Sequence, residues 1–334
     1  MVSRPSFWGY TPKTRNAHNF GMETVLLLLE RLPDIHRLRW SLSLAEPFTA
    51  PHYLGSALRG LMGHGLRKTA CVTRHSNCRA CALVDHCVYT ELFEPAARSD
   101  GGHGVPYVLS VPVTSGAFYS KGQGLVFEMT LMSPHQHHLP YLIQAFQRGG
   151  RLGLGPKKIG FEVTEVECLN TLGDVDWQTV YQNGKMMAPL TSAAIQPPPA
   201  PSSVILTWQT PLRLKRKGQL IGPGRFTATH LLESLLYRAC DLLGERPSRL
   251  LLDQARKPDL QMKAVLEWQD WSRYSSRQKA RMHVGGLMGH VELSGNDLSA
   301  WWALLWLSQW LHLGKFTSMG LGGYQLAAAS LRDL

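Results

Sequence analysis

Two stretches of the chain decide its fold: LIQAFQRGGRLGLGPKKIGFEV at residues 142–163 and LSQWLHLGKFTSMGLGGYQL at residues 307–326. Each begins with an apolar segment of helical periodicity, continues through a glycine-rich basic loop, and ends in a segment that alternates like a strand. The same order of pieces in both halves of the sequence indicates that the chain contains two copies of one structural unit.

Periodicity outside these stretches predicts the rest of each unit. The first unit is predicted to contain strands and helices in the order strand, helix, strand, strand, helix, strand, at 37–45, 53–68, 107–113, 125–132, 139–147 and 161–166. The second unit repeats that order at 204–214, 229–243, 264–268, 283–293, 298–313 and 323–327. This order is that of a split β-α-β unit. We therefore predict an α+β protein with tandem ferredoxin-like (RRM-like) domains.

A segment rich in proline and small residues, AIQPPPAPSS at 194–203, separates the two predicted units. Such a composition is typical of a linker. We predict an N-terminal domain at 1–193, with a cysteine-rich insertion at 71–87, and a C-terminal domain at 204–334.

Composition narrows the class of protein. Of the 334 residues, 44% are apolar, which is enough for packed cores. Lys and Arg total 35 against 24 Asp and Glu, a formal net charge of +11, which predicts an anionic partner. The longest apolar stretch, 300–313, is interrupted by polar residues and is shorter than the roughly 18 residues of a membrane span. The run at 25–29 is too short for a signal core, so we expect a cytoplasmic protein without membrane contact.

The positive charge is concentrated in stretches without acidic residues, at 204–226 and 271–290, and the second stretch also contains Trp271 and Tyr274. Cations interleaved with aromatic rings suit nucleic acid, because phosphates meet the cations while bases stack on the rings. A solvated loop is the alternative. The candidate RNA-binding residues are Arg67, Lys68, Arg151, Lys157, Lys158, Arg213, Lys215, Arg216, Lys217, Arg273, Tyr274, Arg277, Lys279, Arg281 and Lys315.

The C-terminal loop combines Lys315 with glycines at 314, 320, 322 and 323. Glycines let a backbone approach a phosphate and expose its N–H groups. A tight turn that needs positive φ angles explains the same residues equally well. The loop is not a Walker motif, so it gives no support to nucleotide hydrolysis.

Four cysteines form the pattern Cys71-x6-Cys78-x2-Cys81-x5-Cys87. Four thiolates in a short loop suit a tetrahedral structural zinc, although the spacings of six and five are looser than those of common zinc fingers. An iron–sulfur cluster and unligated thiols are the alternatives, and His75 or His86 could replace one thiolate. We predict a structural zinc and no catalytic metal.

Histidines supply the candidate acid–base groups. On the helix predicted at 53–68, steps of 100° place Tyr53, His64 and Arg67 along one edge, where they could hold and cleave a phosphodiester. A half-buried histidine beside the core is the alternative for His64. His312 ends an apolar helix next to the glycine-rich loop, and His52 is a weaker third candidate.

Several segments of the sequence resemble a known family. The segments DWSRYSSRQKARMHVGGLMGHVEL (270–293) and HLGKFTSMGLGGYQL (312–326) are similar to the C-terminal domain of the CRISPR-associated repeat-processing endoribonucleases of the RAMP superfamily. In the first half, YLGSALRGLMGHGLRK (53–68) and the cysteine-rich segment that ends in HCVYTELFEP (86–95) resemble long members of that family. The similar segments cover roughly two thirds of the chain.

The resemblance implies binding of a CRISPR repeat RNA stem-loop and metal-independent cleavage beside it. In this chemistry a 2′-hydroxyl attacks the adjacent phosphate and leaves a 2′,3′-cyclic phosphate. The resemblance assigns the catalytic role first to His64, with Tyr53 and Lys68 as helpers, and His312 is our second choice. The expected product is a mature guide RNA that stays bound and joins the proteins of a CRISPR effector complex.

Two other interpretations remain. A non-catalytic RAMP subunit that binds guide RNA within an effector complex would share the same loops and charge. A zinc-loop regulator unrelated to CRISPR would explain the cysteines but not the duplicated helix, loop and strand.

Overall fold

The structure, a computed structural model, describes residues 17–99, 104–275 and 280–328. For 17–23, 272–275 and 280–282 it describes the backbone alone. The first half contains helices α1 (Ala17–Glu30), α2 (Gly55–Ala70), α3 (Val88–Leu92) and α4 (Leu139–Leu152), and strands β1 (Ile35–Leu44), β2 (Phe48–Thr49), β3 (Tyr107–Ser110), β4 (Phe118–Tyr119), β5 (Gly124–Met132), β6 (Phe161–Leu169), β7 (Trp177–Gln182) and β8 (Lys185–Met186). The second half contains helices α5 (Ala228–Leu242), α6 (Arg249–Arg256) and α7 (Leu298–Leu311), and strands β9 (Ser203–Leu212), β10 (Lys215–Arg216), β11 (Gln219–Leu220), β12 (Gln261–Gln269), β13 (Ser272–Ser275), β14 (Ala280–His283), β15 (Gly286–Ser294) and β16 (Tyr324–Ala328).

Each half is built on one antiparallel sheet. The strand order is β3-β5-β1-β6-β7-β8 in the first sheet and β12-β15-β9-β16 in the second. Without β7 and β8, each sheet contains four strands of its unit. In both sheets the spatial order is the second strand of the unit, then the third, the first and the fourth. This shared order confirms the predicted tandem ferredoxin-like fold.

The first core forms because one face of β1 is continuously apolar. Leu38, Trp40, Leu42 and Leu44 alternate along the strand and are at most 1% exposed. The Trp40 ring packs between the rings of Phe127 on β5 and Phe146 on α4. Period-two alternation that meets an amphipathic helix in this way is the usual origin of a half-buried sheet.

The second core lies between its sheet and helices α5 and α7. The tryptophans predicted to be core residues do pack there: Trp302 and Trp306 are buried, and Trp310 is partly buried against Trp306. Helix α1, which periodicity did not predict, contributes Val25 and Leu28 to this second core although it precedes the first sheet in sequence. Nothing in the structure tests the predicted boundaries 1–193, 194–203 and 204–334, which stay predictions. In the part of the chain that the structure describes, no helix is long and apolar enough to cross a membrane.

The two halves meet at the C-terminal end of α7. The last carbonyls of a helix lack partners within the helix. Here the Trp310 carbonyl accepts a hydrogen bond from Thr130 Oγ1 on β5 (2.9 Å), and the Leu311 carbonyl accepts one from Arg238 Nε (3.0 Å). The buried Arg37 on β1 donates to Ser110 and Thr130 and pairs with Glu128. We call this group of contacts, Arg37, Ser110, Glu128, Thr130, Arg238 and the end of α7, the polar seam.

The glycine-rich loop after α7 is packed into the protein, which corrects the expectation that it presents amides to a phosphate. Its backbone N–H groups at Met319, Gly320 and Leu321 donate to carbonyls within the loop, while those at Gly322 and Gly323 donate to Pro211 and Thr210. Residues 317–324 are buried, and Gly314, Gly320 and Gly322 have φ angles of 78°, 89° and 76°. The alternative of a tight turn with positive φ angles therefore describes the loop.

Gly320 provides a test of this packing. A Cβ atom there would lie 2.1 Å from Tyr53 Oη and 2.6 Å from the Leu109 carbonyl oxygen, at a φ of +89°. We expect Gly320→Ala to lower the free energy of unfolding in urea by about 3 kcal/mol or more, because steric overlap adds to backbone strain. Gly218→Ala is the matched control, since its φ is +81° with nothing within 4 Å. It should cost only about 1–2 kcal/mol, the strain of a left-handed residue. Equal losses would contradict the packing argument.

Candidate active site

A cleft of about 590 Å³ lies where the two halves face each other beside the glycine-rich loop. The first half contributes the segment that leads into α2, and the second half contributes the end of β12, the residues before β15 and the loop. The lining residues are Pro51, His52, Tyr53, Ser56, Gln269, Asp270, Trp271, Val284, Met319 and Leu321. The polar groups of both halves converge on one concave site, as in most binding or active sites.

His52 is the histidine of this cleft. Its imidazole ring makes a T-shaped contact with the Trp271 ring, and the ring centroids are 4.7 Å apart. The His52 Nδ1 lies 3.2 Å from Ser115 Oγ. The side chain is exposed, and its Nε2 has no hydrogen bond to the described part of the chain. One ring nitrogen is therefore oriented by the protein, while the other has no hydrogen-bond partner among the described residues.

The same segment places the start of a helix at the cleft. Helix α2 begins at Gly55, and its N-cap residue, Leu54, has no side chain that can cap the first N–H groups. The N-terminus of a helix carries partial positive charge that favours anions. Ser56 in the first turn lines the cleft. A phosphate that enters beside His52 would thus meet a favourable helix end.

Tyr53, predicted as a catalytic residue, lines the cleft but has its hydroxyl engaged. Its Oη donates to the Met319 carbonyl at 2.7 Å, and its ring lies 5.1 Å from that of Trp271. Burial raises the pKa of Tyr53 well above its usual range. The phenol is therefore neutral, and its visible role is to hold the glycine-rich loop against α2.

His64 and Lys68, also predicted to act in cleavage, are exposed on α2 and do not line the cleft. His64 follows Ser56 by two helical turns, which is about 12 Å along the helix axis. Tyr53 precedes α2, whose N-cap is Leu54, so only His64 and Arg67 of the predicted edge lie on the helix, and neither lines the cleft.

His312 lies behind the glycine-rich loop, inside the polar seam. It is 5% exposed, its Nε2 lies 3.2 Å from Ser110 Oγ, and a Cβ on Gly323 would overlap its ring. Burial, together with the charges of Arg37 and Arg238, lowers the pKa of His312 to about 3. The helix C-terminus was expected to favour the protonated form, but burial and the two arginines outweigh it. The imidazole is neutral and does not reach the cleft.

The predicted RNA-binding residues fall into three groups. Exposed cations with free access to solvent are Lys68, Arg151, Lys157, Lys158, Lys215, Lys217 and Lys315. Three others have partners: Arg216 pairs with Glu233, Arg213 donates to the Gly285 carbonyl, and Arg67 donates to the carbonyls of His75 and Ser76. Arg277 and Lys279 lie outside the described residues, and for Arg273, Tyr274 and Arg281 only the backbone of the β13–β14 hairpin is described.

The cysteine-rich segment follows α2 and is held there by Arg67. All four thiols are free. Burial raises the pKa of Cys78, and the charge of Glu94 raises it further. The Cys81 Sγ lies 3.4 Å from Thr73 Oγ1. Four thiols are the donor set that zinc prefers. A structural zinc on Cys71, Cys78, Cys81 and Cys87 remains a prediction.

Sequence reasoning ranked His52 last among three histidines and did not single out Ser56, Gln269 or Asp270. The signal for His52 was its place just before the first residues of a helix. No pattern in the sequence could show that β12 would end opposite it, because that contact joins residues more than two hundred positions apart.

Two family models match the chain. Residues 31–195 match a model described as an N-terminal domain, and residues 206–324 match the model of the CRISPR-associated endoribonuclease Cas6. The match of residues 206–324 to the Cas6 model confirms the resemblance that the sequence showed.

Solved structures share the fold over most of the chain. A Cas6 product complex is 12% identical with a TM-score of 0.53, covering 88% of this chain and 100% of that one. A partial Cas6-RT-Cas1–Cas2 complex and the Cas6-RT-Cas1–Cas2 complex are each 15% identical with a TM-score of 0.52 over 90% of this chain. This chain spans 47% and 29% of the length of those two. No curated protein matches the sequence.

The buried state of His312 predicts a pH dependence of stability. The folded chain keeps this imidazole neutral, whereas the unfolded chain binds a proton below a pKa of about 6.5. The unfolded state therefore binds more protons between about pH 6.5 and pH 3, so stability falls as the pH falls through that window.

We expect the free energy of unfolding of the wild type to fall more steeply than that of His312→Gln between pH 6.5 and 4.5, by up to about 1.4 kcal/mol per pH unit. Urea unfolding at a series of pH values measures both slopes. The control is His290→Gln, which removes an exposed imidazole on β15 and should keep the wild-type slope. Parallel slopes for wild type and His312→Gln would show that the folded protein accepts this proton.

Proposed function

We propose that this chain is an endoribonuclease that binds the stem-loop of CRISPR repeat RNA and cleaves it in the cleft between its two halves. The observation that carries the proposal is the position of His52: an exposed, oriented imidazole beside an uncapped helix start, in a cleft whose opposite wall belongs to the Cas6-family half. Family membership supports RNA processing, and the cleft supplies a place for it.

In the proposed reaction, the 2′-hydroxyl of the nucleotide before the cut attacks the adjacent phosphorus. The bond from phosphorus to the 5′ oxygen of the next nucleotide breaks, which leaves a 2′,3′-cyclic phosphate and a 5′-hydroxyl. The His52 Nε2 accepts the proton of the 2′-hydroxyl, and the resulting imidazolium can return a proton to the leaving oxygen. This step uses no metal at the reaction centre.

Charge that builds on the phosphate oxygens faces the start of α2. The partial positive charge there, and the polar Ser56 in the first turn, suit a developing oxyanion. Ser115 Oγ, 3.2 Å from Nδ1, orients the His52 ring, and Nε2 acts as the base in the tautomer in which Nδ1–H donates to Ser115. Tyr53 acts as a positioning residue, since its hydroxyl ties the glycine-rich loop to the cleft.

The other side of the cleft suits a base rather than a phosphate. Trp271, Val284 and Leu321 provide apolar wall, while Gln269 and the carboxylate of Asp270 offer polar groups for the edge of a base. A carboxylate repels phosphate but can accept from the amino group of guanine or cytosine. We therefore place the nucleotide base against the second half and the scissile phosphate against His52.

RNA outside the cleft would follow the exposed cations. The β10–β11 hairpin carries Lys215 and Lys217 in solvent, and the glycine-rich loop of the first half exposes Lys157 and Lys158. Backbone contacts of this kind give affinity without reading sequence. They support retention of the product and its transfer, still bound, to the proteins of a CRISPR effector complex.

Cleavage assays distinguish His52 from His64 as the catalytic histidine. His52→Ala is expected to slow cleavage of repeat RNA by about 10²-fold or more while RNA affinity stays nearly unchanged, because only an acid–base group is lost. Gel analysis of single-turnover reactions and a filter-binding titration measure the two quantities. The matched variant His64→Ala removes an exposed imidazole from α2, outside the cleft, and should cleave at the wild-type rate. If His64→Ala is the slow variant, the site lies on the face of α2 that the family resemblance indicates.

The proposed attack by the 2′-hydroxyl is tested with a modified RNA substrate. The wild type should cleave natural repeat RNA in excess EDTA and leave RNA with a 2′-deoxy nucleotide at the junction intact, since the nucleophile is then missing. Stable binding of natural RNA without any cleavage would instead support the non-catalytic RAMP subunit.

The exposed hairpin predicts a salt effect. Lys215→Ala and Lys217→Ala should each weaken RNA binding about equally for different repeat sequences and reduce the slope of log K against log salt by roughly one. Binding titrations over a range of salt concentrations measure that slope. Lys263→Ala, which removes an exposed lysine paired with Glu292 on β12 and β15, is the control and should leave the slope unchanged.

A further inference from the structure

A second cluster of chemically active side chains lies away from the cleft, between α3 and the turn that precedes α4. The turn, His135–His138, has the sequence HQHH, and Glu91 on α3 faces it. Glu91 Oε1 lies 2.8 Å from His135 Nδ1 and 3.1 Å from His138 Nε2, and the rings of His137 and His138 are 3.9 Å apart.

Three of these residues bring metal-ligand atoms together. One ligand atom each of Glu91, His137 and His138 lies within 4.8 Å of the other two. Among the described residues no other group of three histidines, cysteines or carboxylates does so, the four cysteines of 71–87 included. Two imidazoles and one carboxylate form a donor set that binds zinc in proteins.

The state of His138 independently points to a missing ligand. Its side chain is 8% exposed, yet Nδ1 has no partner, and Nε2 faces Glu91 without the geometry of a hydrogen bond. Buried polar groups are nearly always satisfied, because an unsatisfied one costs about 1–3 kcal/mol.

We propose that Glu91, His137 and His138 form a binding site for a divalent transition-metal ion of the zinc class, separate from the cysteine-rich loop. His135 acts as the outer partner, because its Nδ1 holds Glu91 in place. His137 is exposed and can turn toward the other two ligands. The His138 ring also packs near the ring of Tyr141 in the first turn of α4, with ring centroids 6.0 Å apart.

The metal would have a structural role. It joins α3, which follows the cysteine-rich segment, to the turn before α4, a helix of the first ferredoxin-like unit, because Glu91 and His137 are 46 positions apart in the sequence. A ligand that binds only the folded state stabilises it in proportion to the logarithm of its concentration over Kd. The site would therefore fasten the inserted segment to the domain without taking part in RNA cleavage.

Cobalt(II) provides the probe, since thiolate ligands give it an intense near-ultraviolet charge-transfer band and imidazole with carboxylate does not. The full chain, free of any affinity tag and stripped of metal, is compared with a variant in which Cys71, Cys78, Cys81 and Cys87 are all replaced by serine. The serine variant should still bind one equivalent of cobalt(II), with weak visible bands and no charge-transfer band. Absence of binding would overturn the proposal.

Two single substitutions in the serine variant identify the ligands. His137→Gln should abolish the bound equivalent, and His135→Gln should weaken affinity by about 10-fold or more, as for other outer partners. His290→Gln, an exposed histidine on β15, is the matched control and should bind like its parent. Equal binding by His137→Gln and its parent would overturn the assignment.

A test in the natural background remains valid if the serine variant does not fold. Zinc content of the purified wild type and of His137→Gln is then compared by elemental analysis, together with the rise in Tm on addition of zinc. The proposal expects one equivalent less and a smaller rise in Tm for His137→Gln. Identical values for the two proteins would overturn it.

Discussion

The architecture depends on hydrogen bonds that close the C-terminal end of α7. The last carbonyls of that helix would be unsatisfied in an apolar interior, and here Thr130 of the first sheet and Arg238 of the second unit satisfy them. Arg37 is buried beside them with Ser110, Thr130 and Glu128 as partners. Removal of any one partner would leave a polar group or a charge buried without compensation. The polar seam therefore fixes how the two halves sit, and the cleft exists because they sit in that way.

The glycine-rich loop is a consequence of this arrangement. It leaves α7 at His312, a residue with a φ of 53°, and has to pass between β3 and β9 before β16 begins. A Cβ at Gly320 or Gly322 would overlap neighbouring backbone or the Tyr53 hydroxyl. The loop, whose sequence suggests a phosphate-binding loop, thus allows the two sheets to pack close together. Its contribution to function is indirect, since it carries Met319 and Leu321 to the cleft.

Much of the fold could be predicted from sequence because local periodicity and packing agree. The strands at 35–44 and 124–132 and the helix at 298–311 lie within a few residues of their predicted positions, since alternating or helical apolar patterns are buried as the patterns require. Helix α1 was not predicted because its apolar run at 25–29 is short and the helices that it packs against, α6 and α7, lie in the second half. The site was predicted less well. His64 and His312 were reasonable from helix geometry and neighbours, but cleft membership depends on contacts between distant residues, such as that of His52 with Trp271.

The position of α1 has a consequence for how the chain is made. This helix is synthesised before both ferredoxin-like units, yet the side chains that cover it on α6 and α7 follow it by more than two hundred residues. Until then Val25, Leu28 and Leu29 lack the surface of α6 and α7 against which they are buried. The first ferredoxin-like unit can assemble during translation, whereas the second must wait until α1 and α7 can meet. A long interval with an exposed apolar helix favours non-native association, so efficient production in cells should respond to chaperone supply and to the rate of elongation.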